Sequence, residues 1–198
     1  MITEYEATFL DVDKDEVRGK LKKIGAKLIK KEFLQKRFAF NLPEGLRGPG
    51  KWVRVRDEKD RITMSYKFVS GKKIEDQKEI TLIVDDFDNA VEFLEKIGCQ
   101  KKSYQENKRE IWLFEDVEVC IDEWPFLEPY LEIEADSEEK VKRVSRLLDF
   151  DYSEAKFCAT GRIYAEKYKN VSLDYINNKI KKIVFDMQNP FLEEEIDS

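Results

Sequence analysis

Glu4-Tyr5-Glu6-Ala7-Thr8 near the start and Leu131-Glu132-Ile133-Glu134 near the end decide how this chain is read. Each alternates acid with apolar residue over a span that fits a β-strand. Successive side chains on a strand point to opposite faces, so Glu4 and Glu6 share one face and Glu132 and Glu134 share another. Adjacent carboxylates repel unless a cation lies between them. Arg54-Val55-Arg56 repeats the alternation with bases. Acids and bases gathered on one face of a sheet point to a site for a metal and a polyanion.

Working outward, the alternation predicts one strand over residues 2–10. A helix follows, capped by Asp13 and stopped near Gly25, with Val17, Leu21 and Ile24 as its apolar stripe. Strands are expected over 27–41, 51–57, 61–69, 74–84, 101–115, 117–123 and 129–136. Pro43, Gly45, Gly48, Pro49 and Gly50 mark a loop, and Asp57-Glu58-Lys59-Asp60 a tight turn. A second helix over 86–97 turns Val91, Leu94 and Ile97 inward and ends at Gly98. A third, capped by Ser137, runs to Leu148. Residues 150–198 read as short helical pieces with a frayed acidic end, Glu193-Glu194-Glu195. The first two helices end in similar phrases, Leu21-Lys22-Lys23-Ile24-Gly25 and Leu94-Glu95-Lys96-Ile97-Gly98.

The polar positions fall on one side throughout. Arg54 and Arg56 oppose Val53 and Val55. Glu118, Cys120 and Asp122 oppose Val117, Val119 and Ile121. A sheet wet on one face and covered by helices on the other would give the same alternation. The segregation of Arg-x-Arg from Glu-x-Glu, and the tendency of large sheets to curl, favour closure with the charged face inside.

The 198 residues fit one domain with a tail, and 41% hydrophobic content supports a real core. Charged residues reach 39%, against about a quarter in ordinary soluble domains. The net charge of −6 argues against general nucleic-acid binding, so a polyanion site must be a local basic cluster. No apolar run is long enough to span a membrane and no signal-peptide pattern is present, so the expected location is the cytoplasm. Cys99, Cys120 and Cys158 match no zinc or disulfide spacing. The chain has no histidine, which removes Ser-His and Cys-His catalysis and leaves only oxygen-rich metal sites.

Several blocks, in order, resemble the CYTH family, named for class IV adenylate cyclase and thiamine triphosphatase and also called the triphosphate tunnel metalloenzymes. Glu4-x-Glu6 matches the start of its E-x-E-x-K signature. Trp52-Val53-Arg54-Val55-Arg56 matches its L-R-x-R strand, and Met64-Ser65-Tyr66-Lys67 the next basic strand. Gln77-Lys78-Glu79, Lys108-Arg109-Glu110, Ile121-Asp122 and Tyr130-Leu131-Glu132-Ile133-Glu134 match the blocks that follow. The resemblance covers roughly residues 1–168, leaving 169–198 as a helical extension and acidic tail.

It implies an α+β fold: a closed or nearly closed antiparallel barrel of about eight strands, with helices outside. It implies a small-molecule triphosphate gripped by Arg54, Arg56, Lys67 and Arg109, with help from Arg37 and Lys156. Glu4, Glu6, Asp122, Glu132 and Glu134 would hold Mg²⁺ or Mn²⁺. Glu4, Glu6 and Glu79 would be the catalytic acids, Glu79 orienting a basic residue or a water. The expected activity is a metal-dependent triphosphatase. A class IV-type adenylate cyclase and a non-catalytic triphosphate binder are the alternatives, and a homodimer stays open. One departure stands out: the motif lysine is Thr8, which can supply neither a positive charge nor an amine base. The Trp124–Pro129 loop also lacks the glycine common there, and is expected to shape the tunnel mouth.

Overall fold

The structure is a computed structural model that describes residues 1–192. The expected acidic end at Glu193-Glu194-Glu195 lies outside the described residues. In chain order the elements are β1 (Ile2–Thr3), β2 (Tyr5–Phe9), α1 (Lys14–Lys23), β3 (Lys27–Asn41), β4 (Lys51–Asp57), β5 (Ile62–Val69), β6 (Gln77–Val84) and α2 (Phe87–Lys96). Then come β7 (Gln100–Phe114), β8 (Val117–Glu123), β9 (Tyr130–Ala135), α3 (Glu138–Leu147), α4 (Thr160–Lys167), α5 (Leu173–Asn178) and β10 (Lys182–Ile183). No helix among the described residues is long and apolar enough to cross a membrane.

The sheet runs β1-β6-β5-β4-β3-β7-β8-β9-β2, with antiparallel neighbours throughout. Its two ends, β1 and β2, are consecutive in the chain. The predicted strand over 2–10 therefore breaks at Glu4, pairs with β6 before the break and with β9 after it, and so draws the sheet into a nearly closed barrel. Glu4 stays tied across the seam, its N–H donating to the Gln77 carbonyl at 3.0 Å, while the Gln77 amide donates to the Glu6 carbonyl at 3.0 Å. This is the α+β barrel expected, with helices outside.

The helices seal the apolar outer face in two places. Val17 and Leu21 of α1 and Val141 and Val144 of α3 pack on Ala7, Val119 and Ile133. Ala90, Val91 and Leu94 of α2 pack on Phe40, Val53 and Val55. Each fully buried aliphatic side chain contributes about 2 kcal/mol. Asp13 and Asp86 cap α1 and α2 with their side chains, and Gly25 and Gly98 follow at φ +82° and +91°, where a Cβ would be strained.

Three details differ from the sequence expectation. Ile97 is 52% exposed, because the chain turns outward at the end of α2. Ser137 sits before α3 but its side chain makes no capping bond. Ile80 and Leu82 of β6, on the apolar side of that strand's alternation, are exposed rather than packed under a helix in the core.

Beyond α3 the chain returns to the barrel. Thr8 and Lys156 exchange backbone hydrogen bonds at 3.0 and 2.9 Å. Ile163, Tyr164, Ile176, Ile183 and Phe191 form a cluster with Trp124 and Tyr130. β10 adds to β7 in parallel. The last described segment thus packs against the barrel beside β7 and β8.

Candidate active site

The alternation that packs valines outward turns polar residues inward, and strand register decides which of them meet. Side chains directly opposite on paired strands share a face and lie close together. Arg37 of β3 is opposite Arg56 of β4, Arg56 is opposite Thr63 of β5, and Lys67 of β5 is opposite Glu79 of β6. On the other wall, Glu6, Glu134 and Glu118 stand abreast on β2, β9 and β8. Thr8, Glu132 and Cys120 form the next row, and Arg109 faces Asp122. One wall is cationic and the other anionic.

The interior is a cavity of about 1830 Å³. It is lined by Glu4, Glu6, Arg37, Arg54, Arg56, Lys67, Glu79, Arg109, Glu132, Glu134 and Lys156. The residues predicted for the site are thus brought together, with one exception. Asp122 does not line the cavity. It is fully buried behind Arg109, accepting from Arg109 Nε at 2.9 Å and from Asn107 Nδ2 at 2.8 Å. Lys156 stands at the edge, 3.1 Å from Glu166 and 41% exposed at its side chain.

Ion pairs cross the interior. Lys67 Nζ lies 2.7 Å from Glu79 and 3.0 Å from Glu4, and Arg54 lies 3.3 Å from Glu79. Arg109 bridges Asp122 and Glu132. Arg56 pairs at 2.6 Å with Glu58, which also accepts from Arg61 at 2.7 Å. Arg37 is different. Its Nη2 donates to Gln35 Oε1 at 2.8 Å and to Asn107 Oδ1, both neutral amides.

Burial and neighbours set the charge states. Burial, with Arg54, Arg56 and Arg109 nearby, drives the Arg37 pKa well down, and burial with Arg54 lowers Arg56 to about 10. Burial alone would raise Glu79, but Arg54 and Lys67 outweigh it and hold the carboxyl below its usual range. Burial raises Glu4 to about 8, with Glu79 and Glu134 adding to the rise against Lys67. Burial and Glu6 raise Glu134 to about 7 and Glu132 well above its ordinary value. On the acidic wall, burial and neighbouring carboxylates thus favour the protonated forms of Glu4, Glu132 and Glu134.

Among the described residues, the buried side-chain donors without a hydrogen-bond partner are Arg37 Nε, Arg54 Nε and Trp124 Nε1, while Glu4 Oε2 makes no hydrogen bond but lies 3.0 Å from Lys67 Nζ. All four residues line this cavity. Buried polar groups are nearly always satisfied, so such a concentration marks a binding site. Unpaired donors of this kind suit an anion.

The donor set also fits a hard divalent cation. Glu4, Glu6, Glu132 and Glu134 offer only oxygens, and their mutual repulsion is what such an ion relieves. Among the described residues no three acidic or thiol groups are gathered to hold an ion as the side chains stand, and Lys67 and Arg109 pair with Glu4, Glu79 and Glu132.

Four contributors escaped the sequence reading. Glu58 continues the Arg54-x-Arg56 alternation but sits in a charged turn that reads as solvated, whereas it is 1% exposed. Glu118 was legible only as one more inward position until register placed it beside Glu134. Gln35 and Asn107 hold Arg37 and carry no sequence signal of their own.

These features agree with the comparisons to known proteins. The CYTH domain model matches residues 3–160, and the chain belongs to the CYTH family. A Methanocaldococcus jannaschii protein named as a candidate adenylate cyclase is 30% identical over 141 residues, spanning 69% of this chain and 81% of the relative. The fold is shared with a candidate adenylate cyclase of Vibrio parahaemolyticus, at TM-score 0.70 and 13% identity over 83% of this chain and 98% of that one. It is also shared with a Hippeastrum adenylyl cyclase candidate described as showing a dominant triphosphatase activity, at TM-score 0.54 and 12% identity over 87% and 98%.

Proposed function

We propose that this protein is a divalent-metal-dependent phosphohydrolase that binds a triphosphate inside the barrel. The observation that carries the reading is the set of buried donors without a hydrogen-bond partner on one cavity, at Arg37, Arg54 and Trp124, in a barrel that also gathers Glu4, Glu6, Glu132 and Glu134.

Arg54, Arg56, Arg109, Arg37 and Lys67 bind the phosphate oxygens. Arginine suits this because its planar fork pairs with two oxygens at once. Glu4, Glu6, Glu132 and Glu134 would hold Mg²⁺ or Mn²⁺. Such an ion would supply positive charge to offset the negative charge that develops in phosphoryl transfer. Glu79 is held ionised by Arg54 and Lys67, so it is a weak base and serves to orient those two cations. Asp122 fixes Arg109 from behind rather than facing the substrate. Glu58 does the same for Arg56. Hydrolysis then needs only a water in line with the reacting phosphorus.

Cyclisation of a nucleoside triphosphate is the second reading. The cavity volume, about 1830 Å³, leaves room for an organic group beyond a triphosphate, and the M. jannaschii relative carries the name of a candidate cyclase. Product analysis separates the two. Inorganic triphosphate, thiamine triphosphate, ATP and GTP are each incubated with Mg²⁺ or Mn²⁺ and with chelator. Metal-dependent orthophosphate release supports the hydrolase. Pyrophosphate with a cyclic nucleotide transfers the assignment to a cyclase. Tight triphosphate binding without product leaves a binding protein.

A further inference from the structure

Trp124 and Arg37 are both almost fully buried, at 4% and 5% exposure, and both line the cavity. The Arg37 guanidinium lies over the Trp124 ring, 4.6 Å from its centroid. Trp124 follows β8 at the start of an irregular loop and belongs to the buried cluster that includes Ile163, Tyr164 and Ile176. Its indole Nε1–H has no acceptor among the described residues, and neither has Arg37 Nε. A buried indole N–H ordinarily finds a partner, and leaving one unmade costs about 1–3 kcal/mol.

The surroundings select the missing acceptor. The Gln35 and Asn107 oxygens that face Arg37 are neutral, and Asn107 is itself committed to Asp122. Arg56 stands directly opposite across the strands, and its one carboxylate, Glu58, is shared with Arg61 and not with Arg37. An arginine that is buried, next to a like charge and paired only with amides lacks an anion. A neutral acceptor would satisfy the indole but leave the guanidinium charge uncompensated.

We propose that Trp124 Nε1–H and Arg37 Nε–H together form a subsite for one anionic phosphoryl oxygen of the substrate, at the end of the tunnel walled by the segment after residue 160. This rests on the reading of the barrel as a triphosphate site, and adds to it a ligand-binding role for a tryptophan. The acceptor can come from inorganic triphosphate or from a nucleoside triphosphate, and both are tested.

The test is calorimetric titration with inorganic tripolyphosphate, and in parallel with ATP, in chelator so that no turnover intervenes. Trp124→Phe keeps a flat apolar ring but removes the donor together with one fused ring, so its effect is read beside that of Trp124→Leu, which also removes the aromatic face over which Arg37 lies. Trp124→Phe should weaken tripolyphosphate binding about tenfold, the worth of one hydrogen bond to a charged group. Arg37→Gln should weaken it more. The double variant should lose less than the product of the two, because both donors serve one oxygen. Thermal melting of each variant checks that the fold is kept. Equal loss with ATP places a phosphoryl oxygen of the nucleotide in the subsite, and loss with tripolyphosphate alone assigns it to the terminal group of the inorganic chain. If Trp124→Phe binds tripolyphosphate as the wild type does, the subsite is wrong while the triphosphate reading stands. If the wild type binds neither ligand, both fail.

Discussion

Arg37 and Arg56 face each other directly across β3 and β4, and of these two the carboxylate of Glu58 pairs with Arg56 and not with Arg37. Two buried guanidinium groups on one face, one of them paired only with amides, are stored repulsion that a polyanion relieves. The ligand-free protein should therefore gain stability on binding tripolyphosphate. At a hundred times its dissociation constant the gain is about 2.7 kcal/mol. Differential scanning calorimetry should show a clear rise in Tm with tripolyphosphate and a much smaller one with an equal ionic strength of chloride. No difference between the two salts would count against the site.

Removing one member from each wall should stop the chemistry without unfolding the chain. Arg56→Ala and Glu6→Gln should each lower turnover at least about tenfold, the usual scale for a lost charge-stabilising contact. Circular dichroism should show both variants folded. Unchanged rates in both would remove these residues from the site.

Glu58 predicts a stability effect of its own. Burial alone would raise its carboxyl, but Arg56 and Arg61 outweigh that and hold it below its ordinary value of 4.5. A carboxyl lowered on folding stabilises the protein above its unfolded pKa, and that stability is lost as pH falls through the folded value. The wild type should therefore lose part of its margin over Glu58→Gln on acidification below about pH 4.5. At neutral pH Glu58→Ala should cost about 3 kcal/mol, because it leaves Arg56 buried without its carboxylate. Denaturant titration at pH 7 and at pH 3.5 measures both. A constant gap between wild type and Glu58→Gln would contradict the assignment.

The acidic wall gives the opposite sign. Glu4 and Glu134, raised to about 8 and about 7, keep protons in the metal-free protein near neutrality. Their contribution to stability is full below the unfolded carboxyl range and is lost as pH rises through these values. Mg²⁺ binding must displace the protons, so it should release them at pH 7 and weaken as pH falls. Titrating Mg²⁺ calorimetrically in two buffers of different ionisation enthalpy reads the release directly. Identical heats in the two buffers would mean that these carboxyls are not the ligands.

Much of the barrel was legible because one rule, alternation on a strand, governs it. Val53 and Val55 outside and Arg54 and Arg56 inside follow from that rule alone. The rule fails where a residue leaves a strand. Glu58 lies in a turn, and nothing local shows that the turn folds over Arg56. It also gives facing without depth. Asp122 points inward as expected, but Arg109, directly opposite, covers it. The row Glu6-Glu134-Glu118 depends on register between three distant strands, which no single segment encodes. Thr8 stands where the family signature has lysine. Its backbone partner Lys156 became evident only once the chain was seen to return to the barrel.

The most direct test of the triphosphatase assignment is phosphorus NMR of tripolyphosphate incubated with the protein and Mg²⁺, beside a sample in chelator. Orthophosphate and pyrophosphate should grow together only with Mg²⁺, and neither should grow with Arg56→Ala. Unchanged tripolyphosphate in the presence of Mg²⁺, with the wild-type protein folded and binding it, would contradict the triphosphatase assignment.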